Sequence, residues 1–122
     1  MPPTVLIVDH GPDLREIYRT ALELAGYEVI EAEDGGAALA AIAINKPAAI
    51  VLHVGLPDID GVTLSRRIQS ETLSDVPILA ITGWPGRVEE FKDSTAFHEV
   101  LIKPVLPEQL LAAVRRWVRS GS

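Results

Sequence analysis

Val5-Leu6-Ile7-Val8, followed at once by Asp9-His10, is the stretch of sequence that decides the fold. An unbroken apolar run that is rich in β-branched residues is typical of a parallel strand buried on both faces. Apolar residues then recur at helical spacing over 14–24, between Pro12, which suits a helix start, and Gly26, which suits a helix end. The chain therefore opens as a strand followed by a helix, the repeating unit of an α/β protein.

The same alternation continues along the chain. Further strands are predicted at 27–31, 48–53, 76–81 and 99–102. Further helices are predicted to begin after Asp34 and Asp60 and at Pro107, and a short fourth helix is expected within 83–97. Five strands alternating with five helices predict an α/β fold, in which right-handed crossovers place helices on both faces of a parallel sheet. With no repeat, low-complexity tract or linker, residues 1–122 are predicted to form a single domain.

Composition narrows the class of protein. A chain of 122 residues with 48% hydrophobic residues is long enough to bury one core. The net charge of -6 argues against direct nucleic-acid binding, which needs a basic surface. The absence of cysteine excludes a disulfide, a thiol nucleophile and a zinc–thiolate site. The short start before the first strand leaves no room for a signal peptide, and no apolar stretch suits a membrane span, so we expect a cytoplasmic protein.

Polar residues stand where the predicted strands end. In open parallel sheets the ligand crevice lies at the carboxyl ends of the strands. That rule selects Asp9 and His10, His53, Thr82 and Lys103, each of which closes a strand or directly follows one. We expect these side chains to share one crevice.

Five ordered motifs resemble the response-regulator receiver domain of two-component systems, and the resemblance extends over essentially the whole chain. The motifs are Val-Asp-His at 8–10, Ala-Gly-Tyr-Glu-Val at 25–29, Leu-Pro-Asp-Ile-Asp-Gly at 56–61, Ile-Thr-Gly at 81–83 and Lys-Pro at 103–104. The resemblance implies a flavodoxin-like, doubly wound sheet with strand order 2-1-3-4-5 and five helices.

The resemblance also assigns roles to the strand-end residues. In this family a strand-three aspartate accepts a phosphoryl group, and a Mg²⁺ ion held by an acidic pair lets the two anions approach. By position, Asp9 matches the outer acidic residue, Lys103 the phosphoryl-binding lysine and Thr82 the switch hydroxyl. His53 stands at the phosphoacceptor position, and His10 stands at the second acidic position.

Both departures affect the same chemistry. An imidazole cannot form an acyl phosphate, and Mg²⁺ prefers oxygen ligands, so we expect a degenerate phosphorylation site with weak or absent Mg²⁺ binding, no cofactor and no enzymatic activity. We expect His53 to hydrogen-bond Asp9 or Thr82, with a pKa raised by Asp9, and Lys103 to form a salt bridge with Asp9. Val100 stands at the position of the family's switch aromatic residue, and a valine that is stiff at χ1 cannot make that swing.

The function predicted from the sequence is phosphorelay signal transduction by an atypical receiver that is not phosphorylated and acts through protein–protein interaction. The partners implied by the resemblance are a histidine kinase, a phosphotransfer protein or an output domain, with a homodimer as a further alternative. One other hypothesis is altered phosphate chemistry through Asp9, Lys103 and Thr82. Another is a metal-responsive sensor in which His10, His53 and Asp9 bind a transition metal.

Several polar and aromatic residues outside the crevice receive simpler interpretations. Asp58 and Asp60 are predicted to serve as turn and cap residues. His98 is predicted to lie on the surface, away from the site. Trp84 is predicted to be an exposed anchor for a partner, and Trp117 to belong to the core or to an interface.

Overall fold

The structure is a computed structural model, and it describes residues 2–71, 75–83 and 96–118. Strands and helices alternate through these residues: β1 Thr4–Val8, α1 Pro12–Leu24, β2 Glu28–Ala32, α2 Gly35–Ile44, β3 Ala49–His53, α3 Gly61–Glu71, β4 Ile78–Thr82, β5 Glu99–Ile102 and α4 Pro107–Trp117. All five strands pair in parallel in the order β2-β1-β3-β4-β5. The predicted doubly wound sheet and its strand order are confirmed.

The number of helices differs from the prediction. The described residues contain four helices, whereas five were expected. The fourth helix expected within 83–97 falls mostly on residues 84–95, which lie outside the described part of the chain, as does the predicted anchor Trp84.

The sheet separates two hydrophobic cores, as the unbroken apolar strands predicted. Alternate residues of β1 point to opposite faces, so that Leu6 packs in one core and Ile7 in the other. Helices α2 and α3 cover the first face with Ala38, Ile42, Leu64 and Ile68. Helices α1 and α4 cover the second face with Tyr18, Leu22, Leu110 and Val114.

Two strand boundaries lie slightly further along the chain than predicted. Tyr27, placed in β2 by its sequence, lies instead in the turn that follows α1, where its N–H donates to the Leu22 carbonyl at 3.0 Å. Gly26 allows this reversal with a φ of 98°. Pro77 precedes β4 because its ring nitrogen has no N–H to donate, although its carbonyl accepts from Ile50 N–H at 2.9 Å.

The loop between β3 and α3 folds back tightly on the end of β3. Gly61 N–H donates to the Val54 carbonyl at 3.1 Å, and an isolated antiparallel bridge joins Gly55 to Asp60. A Cβ atom on Gly61 would lie 2.8 Å from Val54 Cα, which leaves no space for a side chain. The predicted cap is confirmed, since Asp60 Oδ1 accepts from Val62 N–H at 3.2 Å.

Among the described residues, no helix is both long enough and apolar enough to cross a membrane.

Candidate functional site at the carboxyl ends of the strands

The sheet brings the predicted strand-end residues to one edge. His53 ends β3 and is in register with Ile81 of β4, whose next residue is Thr82. Asp9 directly follows β1, which lies on the other side of β3, and Lys103 directly follows β5. The charges of Lys103 and Asp9 both act on the His53 imidazole. The predicted crevice is therefore present.

Asp9 is a buried carboxylate whose position is fixed by the loop that follows it. Its Oδ1 accepts from Gly11 N–H at 2.8 Å, and its own N–H donates to the Ala32 carbonyl at 3.0 Å. Arg15 Nη1 donates to the Asp9 carbonyl at 2.6 Å while Arg15 Nε donates to Glu31 at 3.2 Å. The first turn of α1 and the strand β2 thus hold the Asp9 backbone in place.

His53 bonds to the loop that follows it. Its Nδ1 lies 3.2 Å from the nitrogen of Gly55 and 3.3 Å from the oxygen of the same residue. Gly55 therefore offers an N–H to the neutral ring and a carbonyl to the imidazolium. The predicted hydrogen bond from His53 to Asp9 or Thr82 is wrong, because the ring turns back toward its own loop.

The pKa of His53 lies below its usual value, which corrects the expectation that Asp9 would raise it. Burial lowers the pKa most, and the positive charge of Lys103 lowers it further. Asp9 and the hydrogen bond to Gly55 act in the opposite direction and are outweighed. The imidazole is therefore held in its neutral form.

Lys103 lies beside β4 and forms no ion pair with Asp9. Its N–H donates to the Thr82 carbonyl at 2.8 Å, and its Cδ lies 3.8 Å from where a Cβ on Gly83 would stand. Among the described residues no carboxylate pairs with its ammonium, so the predicted salt bridge to Asp9 is wrong. Strands β3 and β4 separate β1 from β5, and neighbouring strands are about 4.8 Å apart.

Thr82 and Val100 occupy the two positions that the receiver resemblance assigns to a switch. Thr82 is buried at the end of β4. Val100 is half-buried in β5, in register with Ala80, and packs against the core covered by α2 and α3. The residue at the position that the resemblance assigns to the switch aromatic is therefore a small β-branched side chain packed against this core.

The two-histidine metal site is not assembled. His10 is exposed, whereas Asp9 is buried and His53 is half-buried. Across residues 2–71, 75–83 and 96–118, no group of three or more histidine, cysteine, aspartate and glutamate side chains is arranged to hold a metal ion. The geometry gives the metal-sensor hypothesis no support.

Asp58 has a role beyond the predicted turn. Its Oδ1 accepts from Gly35 N–H at 2.9 Å and its Oδ2 from Gly36 N–H at 3.0 Å, so it caps α2 from the distant loop after β3. The hydrogen bond from Gly35 is the main cause of a lowered pKa for this carboxyl. Asp34, which was predicted to cap α2, also caps this helix, since its Oδ1 accepts from Ala37 N–H at 2.8 Å.

A groove lies along the outer edge of the sheet, between β5 and α4. It encloses about 340 Å³ and is lined by Val100, Leu101, Ile102, Val105, Gln109, Ala112 and Arg116. Ile102 is 40% exposed and Leu106, nearby in sequence, is 52% exposed. The groove thus offers apolar side chains and an accessible strand edge to a partner.

Comparison with known proteins agrees with this fold. The family model described as "Response regulator receiver domain" matches residues 5–115. Response regulator MprA of Mycobacterium sp. (strain KMS) is 39% identical over 123 residues, which cover 100% of this chain and 53% of that protein. The phosphate regulon transcriptional regulatory protein PhoB of Pseudomonas aeruginosa is 35% identical over 118 residues, covering 95% and 52%. The chain spans about half the length of these curated relatives.

Solved structures give the same result. A putative response regulator from Chloroflexus aurantiacus J-10-fl has a TM-score of 0.86 at 34% identity, with 97% of this chain and 98% of that chain covered. The chemotaxis response regulator CheY4 of Vibrio cholerae has a TM-score of 0.87 at 28% identity, with 95% and 98% covered. The fold and the strand-end crevice define a receiver-type signalling domain. The chain belongs to the response regulator receiver family of two-component systems.

Proposed function

We propose that this receiver domain is not phosphorylated and acts in two-component signalling as a protein–protein interaction module. The observation that carries the proposal is the imidazole of His53 at the end of β3, whose Nδ1 accepts a hydrogen bond from Gly55 N–H at 3.2 Å. An acyl phosphate forms only on a carboxylate, and position 53 supplies none. Asp9, the carboxylate at the end of β1, already accepts a hydrogen bond from Gly11 through Oδ1.

The residues present do not fit a Mg²⁺ ion. Magnesium takes oxygen ligands in near-octahedral geometry, and proteins usually bind it through one or two carboxylates. Asp9 provides one buried carboxylate here, whereas the neighbouring position carries the exposed imidazole of His10. Phosphoryl transfer to this site would therefore lack both its nucleophile and its usual metal.

The docking face in this proposal is the groove between β5 and α4. Apolar side chains from Val100 to Val105 line it, and Arg116 flanks it. A groove with apolar contacts and a polar rim suits a protein partner. By analogy with its relatives, the partner is a histidine kinase, a phosphotransfer protein or an output domain, and a second copy of the domain is the alternative.

The decisive experiment is intact-mass spectrometry after incubation with acetyl phosphate and Mg²⁺. We expect no added phosphoryl group on the natural chain. His53→Asp should gain little phosphoryl group, because His10 still impairs the metal site, and His53→Asp combined with His10→Asp should gain much more. A phosphorylated natural chain would refute the proposal, and full phosphorylation of His53→Asp alone would refute the role given to His10.

One observation favours a second candidate, altered phosphate chemistry through Asp9, Lys103 and Thr82. The ammonium of Lys103 has no ion-pair partner in the described part of the chain, and it lies near the neutral His53. An unpaired cation of this kind attracts an oxyanion. In this candidate the acceptor would be the Asp9 carboxylate, which would take the phosphoryl group from acetyl phosphate and release acetate. The same mass measurement would detect the added phosphoryl group, whereas an interaction module that is not phosphorylated would show no added mass.

A further inference from the structure

His98 joins the start of β5 to β4 through both its backbone and its ring. Its N–H donates to the Ile78 carbonyl at 2.8 Å. The N–H of Ile78 in turn donates to His98 Nδ1 at 3.0 Å. The ring nitrogen thus takes the place that a backbone carbonyl would hold in a regular strand pair. This contact lies at the amino ends of the strands, at the opposite end of the sheet from His53.

The bond from Ile78 requires an unprotonated Nδ1 on His98. A ring nitrogen accepts a hydrogen bond only while it carries no proton, and both nitrogens of an imidazolium are donors. Protonation of Nδ1 would therefore bring two N–H groups face to face and break the bond. Histidine is the side chain that changes charge at about pH 5–8 in proteins.

Helix α4 holds the imidazole in position. The indole of Trp117 contacts the ring edge to face, with ring centres 5.4 Å apart and planes at 75°. Trp117 Nε1 also donates to Glu99 Oε1 at 2.7 Å. The bond to Glu99 thus fixes the indole that packs against the His98 ring.

The charged groups beside His98 are Glu99 on β5 and Arg116 on α4, and they pair with each other. Arg116 Nε donates to Glu99 Oε1 at 3.3 Å, and Arg116 Nη2 donates to Oε2. Burial works to raise the pKa of Glu99, but the hydrogen bonds from Arg116 and Trp117 outweigh it, so the pKa lies below its usual value. Glu99 therefore stays ionised while histidine titrates. Among the described residues, β4 meets the ring through the Ile78 backbone, and the α3 side chains that bond to the nearby Ala96 carbonyl, Ser65 and Gln69, are neutral.

The contacts at the start of β5, from Ala96 to His98, lie directly before the residues that line the groove. Ser65 Oγ and Gln69 Nε2 both donate to the carbonyl of Ala96, the latter at 2.8 Å, and so fix the backbone two residues before His98. Val100, two residues after His98, is the first residue of the groove. His98 is the one residue in these contacts whose bonding changes with a proton.

We propose that His98 is a proton-sensitive latch, which holds the start of β5 and the adjoining groove in place only while its Nδ1 is unprotonated. The effect of the latch on docking rests on the proposed function, which takes the groove as the docking face. Acidification would release the Ile78 amide and loosen β5 without any change at His53. The start of β5 would then respond to pH independently of the strand-end crevice.

The test is amide hydrogen exchange of Ile78, followed by NMR and expressed as a protection factor that corrects for intrinsic exchange. We expect protection in the natural chain to fall about tenfold between about pH 7.5 and about pH 5.5, the effect of losing one hydrogen bond. The amides of Val100, Leu101 and Ile102 should shift with the same midpoint. The amide of Val51 in β3 is the internal reference and should keep its protection.

The matched variant is His98→Asn, whose side-chain oxygen can accept from Ile78 N–H but does not titrate in this range. We expect its Ile78 protection to be high and independent of pH, whereas protection in His98→Ala should be low throughout. Three results would each overturn the latch. Protection of the Ile78 amide could be independent of pH in the natural chain, or it could depend on pH equally in His98→Asn. Protection of the Val51 amide could also fall in parallel with that of Ile78. If Ile78 responds and the groove amides do not, control of the docking face is overturned. None of these results bears on phosphorylation, which the mass measurement decides separately.

Discussion

At the scale of single residues, His53 differs from an aspartate in charge as well as in reactivity. An aspartate would place a second negative charge beside Asp9, whereas the neutral ring leaves Asp9 and Lys103 to act on it from two sides. Because burial and Lys103 outweigh Asp9, the folded domain disfavours protonation of this ring. The fold therefore favours the neutral form of this ring.

This lowered pKa predicts how stability depends on pH. The unfolded chain binds a proton at His53 near the ordinary value of about 6.5, and the folded chain binds it at lower pH. The contribution of His53 to the unfolding free energy is thus fully present above the unfolded pKa, and it is lost as pH falls toward the folded pKa. Urea denaturation over a pH series should show a steeper acid loss of unfolding free energy in the natural chain than in His53→Gln. Other histidines contribute equally to both proteins, so equal slopes would contradict the direction of the shift.

At the scale of elements, the loop between β3 and α3 depends on a close approach of two backbones. A Cβ on Gly61 would meet Val54 Cα at 2.8 Å and the Val54 carbonyl oxygen at 3.0 Å. Backbone atoms cannot move aside as the end of a side chain can. The loop keeps its shape only if position 61 carries no side chain.

A pair of glycine substitutions tests this requirement. We expect Gly61→Ala to lower the unfolding free energy by about 1–3 kcal/mol, the usual cost of overpacking. Gly36→Ala is the matched control, because its Cβ would come no closer than 3.6 Å to Asp34 Oδ1 and the residue lies in α2. Alanine is the better helix former, so this variant should gain up to about 1 kcal/mol. Urea denaturation measures both, and a neutral Gly61→Ala would show that the loop has room to relax.

The sequence predicted elements better than it predicted the bonds of polar side chains. Apolar runs and helical spacing are local patterns, and they located all five strands and the four helices that the structure describes. The partners of His53, Lys103 and Asp58 depend on which loops the fold brings together. Asp58 reaches Gly35 across 23 positions of the chain, and no periodicity reveals such a contact.

At the scale of the whole molecule, the paired strands β4 and β5 lie between the crevice and the proposed docking groove. Thr82 is in register with Ile102, and Ala80 with Val100. Transmission along this route needs a side chain with two well-separated positions. Val100 packs against the core covered by α2 and α3, and its branched Cβ favours one rotamer.

We therefore expect the docking face to be indifferent to a phosphodonor. Amide shifts of Glu99–Ile102 and Pro107–Trp117 should be the same with and without acetyl phosphate and Mg²⁺. In the variant that combines His53→Asp with His10→Asp, changes should appear around residue 53 and remain small on that face, because Val100 is unchanged. Large, saturable shifts of the face in the natural chain would show that a phosphate-driven switch survives.

The bond between Asp58 and the first turn of α2 also links two events that are otherwise separate. Gly35 and Gly36 lose their hydrogen-bond acceptor whenever the loop after β3 lifts, and the loop loses its anchor whenever that turn frays. Opening either one alone breaks the two hydrogen bonds that join them, so we expect the two segments to open together. The loop that follows His53 is thereby held by a helix that lies outside its own short sequence.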